Sequence, residues 1–138
     1  MREIKPKWDF TDYLKIVPAV ILGIIIFYFS SLSNPYSTPL PKQTAMLLNP
    51  LMHIGEFGLL TFLIFFGFFS KVKPIYLLTI SFFYAVIDEV HQYFVPYRYF
   101  DVFDLIVDLV GVVLGFIAYL LAKNLYLSFK GNLDDSRL

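Results

Sequence analysis

The sequence predicts an all-α fold: a polytopic integral membrane protein built as a bundle of four transmembrane helices. Of its 138 residues, 58% are hydrophobic and 16% are charged, whereas a soluble domain carries about 25% charged residues. Four apolar runs follow one another along the chain, each close to the roughly 20 residues that a helix needs to cross a bilayer. We expect one membrane domain, residues 16–121, between an N-terminal segment, 1–15, and a C-terminal tail, 122–138.

Composition excludes several classes of function. The net charge is +0, so no basic surface is available for nucleic acid. The chain has no cysteine, which rules out disulfides, thiol catalysis and thiolate metal sites. The first apolar run is not followed by an A-x-A-like cleavage site, and we therefore expect a retained span rather than a removed signal peptide.

The first span is predicted at residues 16–32, with Pro18 in its first turn, where proline is tolerated. Residues 33–50 contain several prolines and are predicted to form an exposed loop. The second span is predicted at residues 51–69. A short basic turn with Lys71 and Lys73, which we interpret only as topology signals, follows it.

The third span is predicted at residues 75–94, and its first half is uncharged. A short loop containing Arg98 separates it from the fourth span, residues 103–121. Residues 122–138 become polar and are expected to fray into a disordered tail.

The distribution of basic residues predicts the orientation. With four spans, nine of the 11 Lys and Arg residues fall on one side of the membrane, and only Lys42 and Arg98 fall on the other. Because basic residues favour the cytoplasmic side, both termini are expected in the cytoplasm.

This topology gathers the intramembrane polar residues at one end of the bundle. Glu56, Asp88 and Asp108 each lie about 8–9 Å inside the outer boundary, on three different helices. An acid within a bilayer is costly, so such residues are functional candidates by default. We expect one outward-facing pocket.

Helical spacing assigns faces to these residues. His53 and Glu56 share a face of the second helix, whereas Glu89 points about 100° away from Asp88, toward Tyr93 or the following loop. Two further sets each share a face, one on the third helix and one on the fourth: Asp88, His91 and Gln92, and Asp104, Asp108, Gly111 and Gly115. The two glycines are predicted to let a neighbouring helix approach closely.

These motifs resemble the VanZ-like family of small bacterial membrane proteins, named for a member linked to teicoplanin resistance. The matching positions are His53, Glu56, Asp88, Glu89, Gln92, Arg98, Asp104, Gly111 and Gly115. Two positions depart from the family's pattern: Asp108 replaces its usual Asn, and Tyr97 replaces the Gly before the arginine. The resemblance implies a cell-envelope role in the bacterial cytoplasmic membrane, with a possible contribution to glycopeptide resistance.

The polar residues support two chemical interpretations. One is an acid/base or metal site, with six candidate acids and bases: His53, Glu56, Asp88, Glu89, Asp104 and Asp108. A divalent metal, if present, would be held by His53, Glu56, Asp88 and Asp108, and substrate would be bound by Arg98, Gln92 and His91. The other is a structural network in which Arg98 pairs with Asp101 or Asp104, and His53 bonds to Asp88.

Three functions remain open at this point. The pocket could bind or act on an outer-leaflet envelope amphiphile, lipid-linked or glycopeptide-like, with the lipid bilayer as the protein's surroundings. The acids could instead form the relay of a small ion or proton-coupled transporter. The glycine stripe could dock another helix in a non-catalytic partner subunit. The sequence does not predict an oligomeric state.

Overall fold

The computed structural model describes residues 8–33, 42–69 and 71–135. Over these ranges the chain is helical and contains no strand. The four helices are α1, Phe10–Ser30; α2, Lys42–Phe68; α3, Pro74–Tyr93; and α4, Val102–Asp135. Three of them are long and apolar enough to cross a membrane, within Phe10–Ser30, Leu47–Phe68 and Val102–Leu133. The predicted all-α fold with four helices is confirmed, and that α3 also crosses the membrane stays a prediction. The remaining helix, α3, has 20 residues and carries Asp88 and Glu89 near its end.

Helix α1 begins at Phe10, earlier than the predicted span, because Asp9 caps it. The Asp9 carboxylate accepts from the Asp12 N–H at 2.9 Å, and the Asp12 carboxylate accepts from the Asp9 N–H at 3.1 Å. This reciprocal capping box satisfies donors that a helix start otherwise leaves free. The hydrogen bonds from Thr11 and Asp12 lower the pKa of Asp9. Pro18 consequently lies inside the helix, and the prediction that it occupies the first turn is wrong.

Helix α2 begins at Lys42, so residues 42–50 are helical rather than part of an exposed loop. Several of these residues are good helix formers, and this outweighs Pro50 within the helix. The rest of the predicted loop, residues 34–41, lies outside the described residues.

Helix α4 continues to Asp135, well beyond the predicted end of the fourth span. Residues 122–135 are therefore not a disordered tail. They contain no proline and several strong helix formers, so nothing interrupts the helix after the apolar run ends. Residues 136–138 lie outside the described residues.

The bundle is organised around close packing of α2 against α4. A Cβ added at Gly111 would lie 2.8 Å from the Ile54 carbonyl oxygen, and one at Gly115 would overlap the Gly58 backbone. The two backbones thus touch, as predicted for the glycine stripe. Below this contact the apolar core contains buried side chains from all four helices, including Ile26, Phe57, Phe65, Leu77 and Val112.

At one end of the bundle, the carboxylate of Asp12 pairs with two lysines. We call this end of the bundle the Asp12 end. Lys71 Nζ lies 2.9 Å from Asp12 Oδ2, and Lys15 Nζ lies 3.6 Å from Asp12 Oδ1. Lys123 stands 4.1 Å above the Phe69 ring. The interpretation of Lys71 as only a topology signal is therefore wrong, because it also ties α1 to the segment after α2.

Candidate functional site

The opposite end of the bundle, which we call the cavity end, holds a cavity of about 330 Å3. It lies between the end of α1, the first half of α2, the end of α3, the following loop and the start of α4. Five of the predicted site residues line it: His53, Glu56, Gln92, Arg98 and Asp104. Its other lining residues are Phe29, Ser30, Ser33, Asn49, Met52, Tyr97 and Tyr99.

His53 on the cavity wall is held by a buried acid on α4. Its Nδ1 lies 2.8 Å from Asp108 Oδ1, and the Asp108 side chain is fully buried. The close contact of Gly58 with Gly111 and Gly115 brings α2 near enough to α4 for this pair to form. The structural network predicted a bond from His53 to Asp88; the partner is Asp108, because α2 packs against α4 at this depth.

A chain of hydrogen bonds joins three parts of the cavity wall. The Ser30 hydroxyl donates to Asp88 Oδ2 at 2.8 Å, and Gln92 Nε2 donates to the same oxygen at 2.9 Å. The Arg98 guanidinium donates to Gln92 Oε1. Arg98 therefore bonds to Gln92 and not to Asp101 or Asp104 as predicted. The Val95 N–H donates to the Gln92 carbonyl and the Arg98 N–H to the Val95 carbonyl, so the chain turns at the end of α3 and keeps Arg98 near Gln92.

Tyr97 gives this loop its shape. Its φ is 65°, in the left-handed region that glycine occupies most easily. The family resemblance implies that glycine is usual at this position. The backbone supplies the reason, since the turn before Arg98 requires a positive φ.

Glu89 does not line the cavity, although it was predicted as a candidate acid. It is fully buried, and its Oε2 accepts the Asp101 N–H at 2.9 Å. The Asp101 carboxylate in turn accepts the Phe103 N–H at 2.8 Å, at the start of α4. Glu89 points to the loop, as its helical position indicated, and fastens α3 to the beginning of α4.

His91, predicted to bind substrate, also lies outside the cavity lining. Its Nε2 is hydrogen-bonded to Ser31 Oγ at 2.9 Å, and its ring stacks on Phe27 with centroids 4.2 Å apart. These contacts join α3 to α1 beside the cavity.

Glu56 and Asp104 differ from the other acids of the site. Both line the cavity, and within the described residues neither carboxylate makes a hydrogen bond or an ion pair. Three buried acids behind them, Asp88, Glu89 and Asp108, each retain one carboxylate oxygen without a hydrogen-bond partner in the described part of the chain. The site therefore holds unused acceptor capacity.

The predicted metal set is only partly assembled. Among the described residues, no group of three or more His, Asp or Glu side chains is placed to hold a metal ion. The donors are spread along the cavity wall and behind it, with His53 committed to Asp108 and Asp88 to Ser30 and Gln92.

Ser30 was missed by the sequence analysis, although it contacts Asp88 directly. It ends an apolar run that carries no charge, so an ionisable-residue search passes over it. Its signal is positional: a hydroxyl at the end of the first span falls at the depth of the acids on the other spans.

Comparison with protein families identifies a family that covers most of the chain. The model of the VanZ/LLP1 family matches residues 5–123, which includes all the cavity-lining residues described above. Comparisons with curated proteins and with solved structures gave no match.

Proposed function

The chain belongs to the VanZ/LLP1 family, and from that premise we propose that this membrane protein binds an amphiphile of the bacterial envelope, lipid-linked or glycopeptide-like. The polar part of the ligand would occupy the cavity, and its hydrocarbon part would lie along the helices. A contribution to glycopeptide resistance, through capture of such a molecule, is part of this proposal.

An apolar groove beside the cavity is the observation that carries the proposal. It has a volume of about 570 Å3 and is lined by α1, α2 and α3. Its floor includes the small residues Ala19 and Gly23, and the only hydroxyl among its lining residues, on Tyr84, donates to the Gly23 carbonyl at 2.6 Å. The groove therefore offers hydrocarbon contacts and little competition from polar atoms.

The groove and the cavity adjoin end to end. On α1 the groove extends to Phe27 and the cavity begins at Phe29; on α2 the cavity reaches Glu56 and the groove begins at Leu60. About half a helical turn on α1 and about one turn on α2 thus separate the polar chamber from the apolar channel. A molecule with a polar head and a hydrocarbon tail matches this sequence of environments.

The proposed orientation places the cavity end on the outer side of the membrane and both termini in the cytoplasm. The excess of Lys and Arg at the other end supports it. A ligand would then enter from the outer leaflet, where envelope amphiphiles are displayed.

Acid–base chemistry on the bound amphiphile is a second candidate function, favoured by the His53–Asp108 pair. A carboxylate bonded to one imidazole nitrogen fixes the ring and its tautomer, which leaves Nε2 available for proton transfer. In the described residues His53 Nε2 has no hydrogen-bond partner. Incubation of the protein with a host lipid extract, followed by mass spectrometry, would test this: a product that disappears with His53→Gln supports catalysis, and an unchanged extract rejects it.

Photo-crosslinking tests the binding proposal directly. The full chain in lipid nanodiscs would be labelled with a long-chain amphiphile that carries a diazirine in its tail. Val20→Trp places a bulky ring in the groove, and Val113→Trp places the same ring on a similarly exposed position of α4 outside it. We expect labelling of Val20→Trp to fall at least about threefold, because the ring blocks part of the hydrocarbon contact. Labelling of Val113→Trp should not change.

Equal labelling of the two variants would contradict a role for the groove.

In cells, Arg98→Ala should change susceptibility to teicoplanin or another envelope-directed antibiotic, whereas Lys130→Ala, on the exposed distal part of α4, should not. Unchanged susceptibility at normal expression of Arg98→Ala would contradict the envelope role.

A further inference from the structure

We infer that the cavity selects amphiphiles whose polar head carries a protonated amine. This inference rests on the proposed amphiphile binding and adds the charge of the head group. It comes from the unequal number of anionic and cationic groups around the cavity and from the unused carboxylate oxygens described above.

Among the described residues around the cavity, carboxylates outnumber cations. Glu56 and Asp104 stand on the wall without a protein partner in the described residues. Asp88 and Asp108 lie directly behind the wall, because each accepts a hydrogen bond from residues that line the cavity. Against these four acids the lining contributes one guanidinium, Arg98, and one imidazole, His53.

Each of the two buried acids, Asp88 and Asp108, lacks a hydrogen-bond donor for one of its carboxylate oxygens among the described residues. Asp88 and Asp108 are 2% and 0% exposed, and each has one oxygen with no hydrogen-bond partner in the described residues. A buried carboxylate oxygen without a donor is a costly arrangement. Their other oxygens bind Ser30, Gln92 and His53, so each of these acids is one hydrogen bond away from residues that line the cavity.

An alkylammonium head group supplies the positive charge and the hydrogen-bond donors that the carboxylates of this site can use. It carries a positive charge and three N–H donors, and it has no acceptor that would compete with the acids. A phosphate or sulfate head would meet one guanidinium, already donating to Gln92, among several carboxylates. A neutral head would add no positive charge beside Glu56 and Asp104, whose carboxylates make no hydrogen bond or ion pair within the described residues. The site therefore favours a cation.

A competition experiment with three matched probes tests this inference. Hexadecylamine, N-hexadecylacetamide and hexadecyl phosphate share one hydrocarbon chain and differ in head-group charge. Each would compete with the diazirine amphiphile for the full chain in phosphatidylcholine nanodiscs, with concentrations expressed per lipid. We expect the amine to compete at about tenfold lower concentration than the acetamide, the factor given by one charge-assisted hydrogen bond. The phosphate should be the weakest.

Variants that remove one carboxylate charge test whether Glu56 and Asp104 cause the preference for the amine probe. Glu56→Gln and Asp104→Asn should each reduce the preference for the amine over the acetamide to about threefold or less, without changing competition by the acetamide. Asp9→Asn is the matched control, because it removes an exposed carboxylate at the other end and keeps a good helix cap. The ratio should stay at its original value in this variant.

The outcomes separate this inference from the proposed function. Equal competition by all three probes, or a preference for the phosphate, overturns the inference and leaves amphiphile binding in place; such a result would mean that the acids hold protons rather than charge. A preference for the amine that persists in both Glu56→Gln and Asp104→Asn also overturns it. If no probe competes, the proposed function fails as well.

Discussion

Buried carboxylates occur at both ends of this bundle, and their surroundings differ. Asp12 is 5% exposed, and both its oxygens have partners: Oδ2 has the Asp9 N–H and Lys71, and Oδ1 has Lys15. Asp88 and Asp108, equally buried, each keep one oxygen without a hydrogen-bond partner in the described part of the chain. At the Asp12 end, both oxygens of the buried carboxylate have partners. At the cavity end, one oxygen of each buried carboxylate has none among the described residues.

The comparison indicates different purposes for the same side chain. A buried charge with all its partners joins elements of the fold, here α1 to the segment that follows α2. A buried carboxylate with an unpaired oxygen lowers the free energy of unfolding. Such a residue is tolerated where a bound ligand can supply the missing hydrogen-bond donor. If these purposes differ, the two ends should respond oppositely to the same kind of substitution.

The largest effect is expected where α2 and α4 touch, because this contact builds the cavity end. In Gly115→Ala the new methyl group would overlap the Gly58 backbone, which has no flexible end to move. We expect the free energy of unfolding to fall by about 3 kcal/mol, at the upper end of overpacking effects. Chemical unfolding in detergent micelles, followed by circular dichroism, measures it.

Gly131→Ala is the control for that change, since it lies on the same helix with nothing within 4 Å of the added Cβ. It should be neutral or stabilise the helix slightly, by up to about 1 kcal/mol, because alanine is the better helix former. Similar losses in both variants would contradict the close packing of α2 and α4.

A smaller loss is expected at the Asp12 end. Asp12→Asn and Lys71→Met each break the ion pair, and each should lower the midpoint of thermal unfolding by less than Gly115→Ala does. Because the two residues act on each other, the double variant should lose little more than either single one. Additive losses would show that the pair does not couple the two elements.

The opposite response is expected for Asp88→Asn. The asparagine oxygen can still accept from Ser30 and Gln92, and the substitution removes a buried charge that lacks one partner. The free energy of unfolding should stay constant or rise by about 1 kcal/mol, while the preference for an amine head group falls. A loss of stability like that of Asp12→Asn would contradict the contrast between the two ends.

Much of the site could be predicted from the sequence, because depth in a membrane is fixed by position along a span. Counting residues from the predicted boundary placed His53, Glu56 and Asp104 at one end, and the structure has all three on one cavity wall. Helical spacing also predicted the contact through Gly111 and Gly115. These features depend on local geometry, which a sequence shows directly.

Pairings between helices could not be predicted in the same way. Depth alone allowed His53 to reach either Asp88 or Asp108, and only the packing of α2 on α4 selects Asp108. The Asp12–Lys71 pair joins a helix start to a short turn far away in the chain, and no spacing rule connects them. The extension of α4 beyond residue 121 is also not predictable from hydropathy, because the helix continues after the apolar run that defines the span has ended.

The smallest effect concerns the loop that closes the cavity end, where the backbone itself is strained. Tyr97 has a φ of 65°, and a residue with a side chain in this region costs roughly 1 kcal/mol relative to glycine. Tyr97→Gly should therefore raise the free energy of unfolding by about 0.5–1 kcal/mol. Tyr99→Gly, in the same loop without a positive φ, should lower it, because glycine there only adds freedom to the unfolded chain. If both substitutions destabilise the protein equally, the turn before Arg98 is not held in the left-handed conformation, and the cavity end is no more strained than the Asp12 end.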